Sequence, residues 1–318
     1  MEDMANAAHP LAILGNQCWG KPAAQPAGAP TPRAVLDEVF TQAADMHAAH
    51  WCDRSLLSCS QLKNVDLWTG RGRARHEAGR TSVASHWARV QVAVAEGGPL
   101  HGKLNLSPKL VAIMNASVKA TSWETFQAEC VHGVGCLGTT QCVCVCLTGC
   151  CATACRYNPD ALPFTLCHGD FHAGNMLWRM KPFAGLPVGL VAVDWAEVGV
   201  HHGATGLSQF LISNTTIEMR RQHERRLVEL YWNRLVEQGV DGKKYTLEMC
   251  WDRYVRGGIE RWLQMCALLW DACVDGKLPP FGAQWFHDQL DAFIQDHAQD
   301  GVVYPLASIY CLPRSNVL

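Results

Sequence analysis

Apolar residues recur at spacings of three and four along most of this chain, and that period predicts helices. Thr31-Pro32 opens the first strong one, a capping residue followed by a proline suited to the first helical turn. Val35, Leu36, Val39, Phe40, Ala43, Ala44, Met46 and His47 then hold the period through Trp51. Residues 53–68 extend the pattern with Leu56, Leu57, Leu62 and Val65, and residues 80–95 place Val83, Trp87, Val90 and Val94 on one face. Ser107-Pro108 caps a helix running to Ala120, and Thr121–Glu124 start another short one. After residue 205 the period returns: Met219–Gln238 stopped by Gly239, Leu247–Trp270 interrupted at Gly257-Gly258, and Trp285–His297. Strand signals are few. Leu162–Asn175 has strand-and-loop character, and Gly189–Val193 is a short β-branched run that predicts a buried strand. The expected class is α+β, mostly helical, with short strands gathered in one place.

Composition changes this picture in two ways. With 48% hydrophobic and 18% charged residues over 318 positions, the chain can bury a large core. Its net charge of −2 argues against a broad nucleic-acid or anionic-membrane footprint. The start, Met1-Glu2-Asp3-Met4, lacks the basic and apolar regions of a signal peptide. Sixteen cysteines, half of them scattered, read as buried thiols rather than as a disulfide framework, so the expected location is cytoplasmic. The other eight lie between Cys130 and Cys155. That segment carries no charge over residues 133–155, contains no C-x-x-C pair, and holds four glycines among Thr and Gln, which weakens both a metal and a membrane-span reading. Residues 131–156 are expected to be a low-complexity insertion outside the working fold. Residues 20–32, rich in Pro, Ala and Gly, read as a linker.

The chemistry concentrates in His168-Gly169-Asp170-Phe171-His172-Ala173-Gly174-Asn175, followed nineteen residues later by Asp194-Trp195. Phosphoryl transfer needs a carboxylate to orient an attacking hydroxyl and oxygen donors to hold Mg²⁺ on a nucleotide's phosphates. Asp170 is the candidate base. Asn175 and Asp194 are the candidate metal ligands. His168 is expected to shape the loop through hydrogen bonds, as is His172. Asp and Asn are also ordinary turn residues, so the motif has weight only in combination with the strand and the second Asp. A zinc site from His168, His172, His201 and His202 is the weaker alternative, because no H-E-x-x-H helix holds them and Gly169 and Gly174 would break one.

At these residues the chain resembles the aminoglycoside phosphotransferase and choline kinase-like family, which has a protein-kinase-like fold. The resemblance rests on LCHGDFHAGNML (166–177) and VAVDWAEVG (191–199). Weaker likenesses are ADMHAAHW (44–51), similar to the helix after the hinge, and Ser208–Leu211, similar to the helix after the metal-binding loop. The resemblance spans residues 1 to about 270, with 131–155 unmatched. It implies an ATP- and Mg²⁺-dependent transfer to a hydroxyl of a small molecule, with Asp170 as base, His168 beside it, Asn175 and Asp194 on the metal and Asn175 also toward the nucleotide. Met1–Met4 would be the hinge, with Glu2 and Met4 against the adenine. Residues 1–33 would then be hinge and linker, 34–130 a helical part, and 157–318 the catalytic loop and C-terminal helices of one domain.

That template also leaves gaps. No glycine-rich strand–turn–strand and no strand lysine precede the hinge-like residues, so the expectation is a C-terminal lobe without its N-terminal lobe, weakly active or inactive. Gly70-Arg71-Gly72-Arg73 lies too late to serve. Gly206 stands where the family has an Asp that braces the catalytic loop. A non-catalytic remnant that only binds a ligand or partner is the alternative reading. Glu197, Glu218 and Asp252 could favour a cationic acceptor or simply form a solvated face. The sequence is silent on oligomeric state.

Overall fold

A caped proline starts the longest N-terminal helix as its sequence requires. Thr31 Oγ1 accepts from the Ala34 amide at 3.2 Å, and Pro32 takes the first helical position. The computed structural model describes residues 7–15, 21–132, 163–182, 185, 187–299, 301–304 and 306. Among these the helices are α1 (Pro10–Ile13), α2 (Pro32–Ala49), α3 (Val65–Trp68), α4 (Arg73–Val94), α5 (Pro108–Ala120) and α6 (Trp123–His132). They continue as α7 (Gly203–Asn214), α8 (Ile217–Glu237), α9 (Leu247–Val274) and α10 (Pro280–His297). The strands are β1 (Ala7–Ala8), β2 (Thr165–Cys167), β3 (Met176–Arg179), β4 (Gly189–Ala192) and β5 (Gly199–His201). The fold is therefore mostly helical with small antiparallel sheets, as expected. The cysteine-rich segment 131–156 lies almost wholly outside the described residues, as do Glu2 and Met4.

Two small sheets carry the loop of interest. In the first, the order is β1-β3-β4, with Ala8 opposite Trp178 and Met176 opposite Ala192. In the second, β2 pairs antiparallel with β5, setting Thr165 opposite His201 and Cys167 opposite Gly199. β2 thus delivers the chain to His168, and β3 carries it away from Asn175. The run from Gly189 to Val193 departs from the buried strand its composition predicts. It forms an edge strand that ends at Ala192, with Leu190 as its buried residue, because no further strand covers its outer side among the described residues.

α9 is the axis of the helical part, packing on α7, α4, α10 and α8. Trp270 is fully buried there, with Trp87 of α4 at a ring distance of 6.1 Å and its indole N–H donating to Ala283 O at 3.1 Å. A second, smaller apolar cluster gathers Val65, Leu67, Trp68, Trp123, Phe126, Phe164 and Val200. Of the scattered thiols, Cys167, Cys250, Cys266 and Cys273 are buried, Cys52 and Cys59 are only half-buried, and none of these six forms a disulfide.

Two helical readings are corrected. Residues 53–68 do not form one helix but a 3-10 turn (Arg54–Ser58) and then α3. The cause lies between them: Asn64 adopts a left-handed conformation with φ 66°, and the Lys63 backbone is drawn into a parallel bridge with Gly199. Gly257-Gly258 does not interrupt α9, which runs unbroken through it. A Cβ at Gly257 would stand 2.3 Å from Thr205 Oγ1, and one at Gly258 would stand 2.8 Å from Ser208 Cβ. The glycines serve a close crossing of α9 over α7, at the cost of helix propensity. Gly258→Ala is therefore expected to lower stability by about 1–3 kcal/mol through overpacking. Propensity alone would raise it by about 1 kcal/mol. Thermal denaturation reads the sign directly.

Candidate functional site

The loop from His168 to Asn175 folds by satisfying its own polar groups. Gly169 has φ +85°, and a Cβ there would fall 1.8 Å from Glu197 O, so only glycine lets the loop press against the turn that follows Asp194. The His168 ring bonds Val193 O at 2.8 Å through Nε2 and lies 4.6 Å from the Trp195 ring, tilted by 45°. His172 caps the 3-10 turn Ala173–Asn175, its Nδ1 accepting from the Gly174 amide at 3.0 Å, and meets Asp170 Oδ2 with Nε2 at 3.2 Å. Asn214 of α7 accepts from the Ala173 amide at 3.1 Å.

Asp170 is half-buried at the centre of this arrangement. Burial pushes its carboxyl up, but this is outweighed by the His172 hydrogen bond and charge, the Arg261 charge and a hydrogen bond from Gln209, which together hold it down at about 2. Asn175 Nδ2 also donates to Asp170, to Oδ2 at 3.2 Å and to the backbone oxygen at 3.1 Å. With its N–H groups turned to Asp170, the Asn175 amide presents oxygen as its remaining donor to a hard cation.

Asn175 and Asp194 are brought together by the sheet. The Val193 amide donates to Asn175 O at 2.9 Å, extending the β3–β4 ladder by one step and placing Asp194 next in the chain. Asp194 is exposed, takes a left-handed conformation with φ 56°, and caps the 3-10 turn Trp195–Glu197. An amide oxygen and one exposed carboxylate suit Mg²⁺, which keeps most of its shell for phosphate and water. His168 and Asn175 both bond to Val193, Asn175 bonds Asp170, and Asp194 is the next residue after Val193, whereas Glu2 and Met4 lie outside the described residues.

The histidines weighed for zinc divide. His168 and His172 serve the loop. His201 turns into the core against Asn64 Nδ2 at 2.8 Å, and His202 bonds Pro163 O at 2.7 Å. No group of three or more His, Cys, Asp or Glu able to hold a metal exists among the described residues. Of the acidic candidates, Glu197 faces Lys63 at 3.6 Å and Asp252 pairs with Arg256 at 3.4 Å along α9. Glu218 sits in the first turn of α8, where the helix dipole favours a carboxylate. Gly70–Arg73 joins α3 to α4, with no strand on either side.

Two contacts were not legible as site residues. Gln209 of α7 donates Nε2 to Asp170 Oδ1 at 3.2 Å, and Arg261 of α9 donates Nη2 to Gly169 O at 3.1 Å. The available signal was a polar side chain inside an apolar helical run, Leu207-Ser208-Gln209-Phe210 and Ile259-Glu260-Arg261-Trp262.

Residues 146–241 match the ecdysteroid kinase-like family. That family belongs to the protein-kinase-like superfamily. The match contains the whole His168–Asn175 loop, Asp194 and α7, and stops soon after α8. It is narrower than the span of residues 1 to about 270 that the resemblance implies, and it begins inside the cysteine-rich segment. No curated protein and no solved structure matches the chain. No helix is long and apolar enough to cross a membrane among the described residues.

Behind the loop, burial shapes the titration of the core histidines. It pushes His47 down to about 3, with His50 adding to the effect, and it pushes His201 well below the ordinary range, aided by the Arg261 charge. Below pH 6.5 the unfolded chain takes up protons that these two rings refuse in the fold, so stability falls as pH drops toward 3. The expected slope is about 1.4 kcal/mol per pH unit for each ring. His47→Gln should remove one ring's share, measured by urea denaturation at a series of pH values.

Proposed function

We propose that this chain is an ATP- and Mg²⁺-dependent phosphotransferase acting on a hydroxyl of a small molecule. The observation that carries the reading is the joining of an ionised Asp170 to Asn175, whose backbone oxygen accepts from the amide of Val193, the residue before Asp194. Asp170 is the hydroxyl-orienting base. A carboxyl held at about 2 stays ionised at physiological pH, so it accepts the hydroxyl's hydrogen bond and takes its proton as the hydroxyl oxygen bonds the γ-phosphorus and the bond from that phosphorus to the departing ADP breaks. Asn175 and Asp194 hold the metal. Mg²⁺ bound there would neutralise the charge of the triphosphate. His168 and His172 hold the loop and its carboxylate in place, and a metal held by Asn175 and the exposed Asp194 would keep the rest of its shell for phosphate and water. Glu2 and Met4 are the proposed adenine contacts. The match to the ecdysteroid kinase-like family supports the reaction class and suggests an ecdysteroid as one acceptor to try.

Transfer of the γ-phosphate of labelled ATP to a panel of hydroxyl compounds, ecdysteroids and choline included, tests the reading. Asp170→Ala is expected to lower kcat by about 10²–10⁴-fold with little change in KM for ATP. Asp194→Ala is expected to raise the Mg²⁺ concentration required. Transfer that survives Asp170→Ala at the wild-type rate would reject the assignment.

A further inference from the structure

Asp170 receives three side-chain donors, and they are not shared evenly. His172 Nε2 and Asn175 Nδ2 both address Oδ2, each at 3.2 Å, whereas Gln209 Nε2 alone addresses Oδ1, also at 3.2 Å. A carboxylate oxygen accepts about two hydrogen bonds. Oδ2 is therefore filled by the loop itself, and Oδ1 keeps one acceptor direction, whose orientation depends on where Gln209 sits.

Gln209 is held there by burial and by a helix crossing. It is 5% exposed, and its neighbour Ser208 lies against Gly258 of α9. Arg261, one turn beyond that crossing and 4% exposed, donates to Gly169 O, the carbonyl just before Asp170. Side chain and backbone of the catalytic position are thus gripped from two helices that meet at one point. A cavity of about 20 Å³ between α7 and the loop is lined by His47, His168, Phe171, Gly206 and Gln209. Its volume suits about one water molecule and no organic acceptor, so a substrate hydroxyl reaches Asp170 from the opposite side.

We propose that Gln209 is a positioning residue that selects Asp170 Oδ1 as the oxygen offered to the acceptor hydroxyl, with Arg261 fixing the backbone beneath it. The proposal rests on the phosphotransferase reading for its consequence in catalysis, but the clamp itself is built from the chain's own residues. It does not require Gln209 to touch substrate.

The test is carboxyl-carbon NMR titration of Asp170 in the full chain, for wild type, Gln209→Leu and Gln209→Glu. Leu keeps the volume and suits the apolar helix, which guards against a variant that merely fails to fold, and backbone amide spectra establish that each variant is folded. Removing the donor should shift the Asp170 midpoint upward in Gln209→Leu, and replacing it with a carboxylate should shift it further in Gln209→Glu. An unchanged midpoint in folded Gln209→Leu would overturn the proposal. In a coupled assay with ATP, Gln209→Leu should lower kcat by about 10- to 100-fold with KM for ATP within about twofold. A full wild-type kcat in that variant would also overturn it. A wild-type chain that shows the midpoint shift on substitution yet transfers no phosphate supports the clamp and removes the phosphotransferase reading instead.

Discussion

The arrangement depends on the backbone bond from the Val193 amide to Asn175 O. It closes the β3–β4 ladder at the end nearest the loop, and through it two residues nineteen apart in sequence become neighbours in space. Strand register is the constraint behind it. A slip of one residue between β3 and β4 would reverse which side chains face the core and would part Asn175 from Asp194 together. The buried side chains of Met176, Trp178 and Leu190 hold that register. A sheet of only three short strands can therefore set the spacing of Asn175 and Asp194, provided its apolar face is anchored on the helical core.

The second constraint is the approach of α7 to α9. Glycines at 257 and 258 let the two helices close on Thr205 and Ser208, and the same crossing carries Gln209 and Arg261 to the back of the His168–Asn175 loop. Helix packing and electrostatics are coupled here. The crossing is set by steric room, yet its effect is felt as charge and hydrogen bonding at Asp170, whose carboxyl sits low because donors surround it against the contrary pull of burial. Gly206, where the resemblance led us to expect a bracing Asp, lies against Phe171 instead, with bracing of the loop supplied by Gln209, Arg261 and Asn214.

Much of this was legible in the sequence because the signals were local. Caps such as Thr31 and Ser107, and the periods of α2, α8 and α10, are written within a few residues of where they act. The loop motif was legible for the same reason: His168, Asp170 and Asn175 lie within one turn-rich stretch. Features set by distant partners were not. Gly257-Gly258 reads as a helix break until Thr205 and Ser208 are seen against it. Residues 53–68 carry a helical pattern that Lys63 abandons to pair with Gly199, and the β-branched run before Asp194 looks buried although it lies at an edge. Gln209 and Arg261 belong to this group, since nothing in their own segments reveals that they end at Asp170 and Gly169.

The central claim is that Asp170, Asn175 and Asp194 form one site for a metal-bound nucleotide. Mn²⁺–ATP titrated into isotope-labelled protein tests it most directly, because the paramagnetic ion broadens only the resonances near it. The earliest and strongest broadening is expected at Asn175 and at Val193–Trp195, with Asp170 following. Broadening centred elsewhere, or none at these residues at saturating Mn²⁺–ATP, would contradict it.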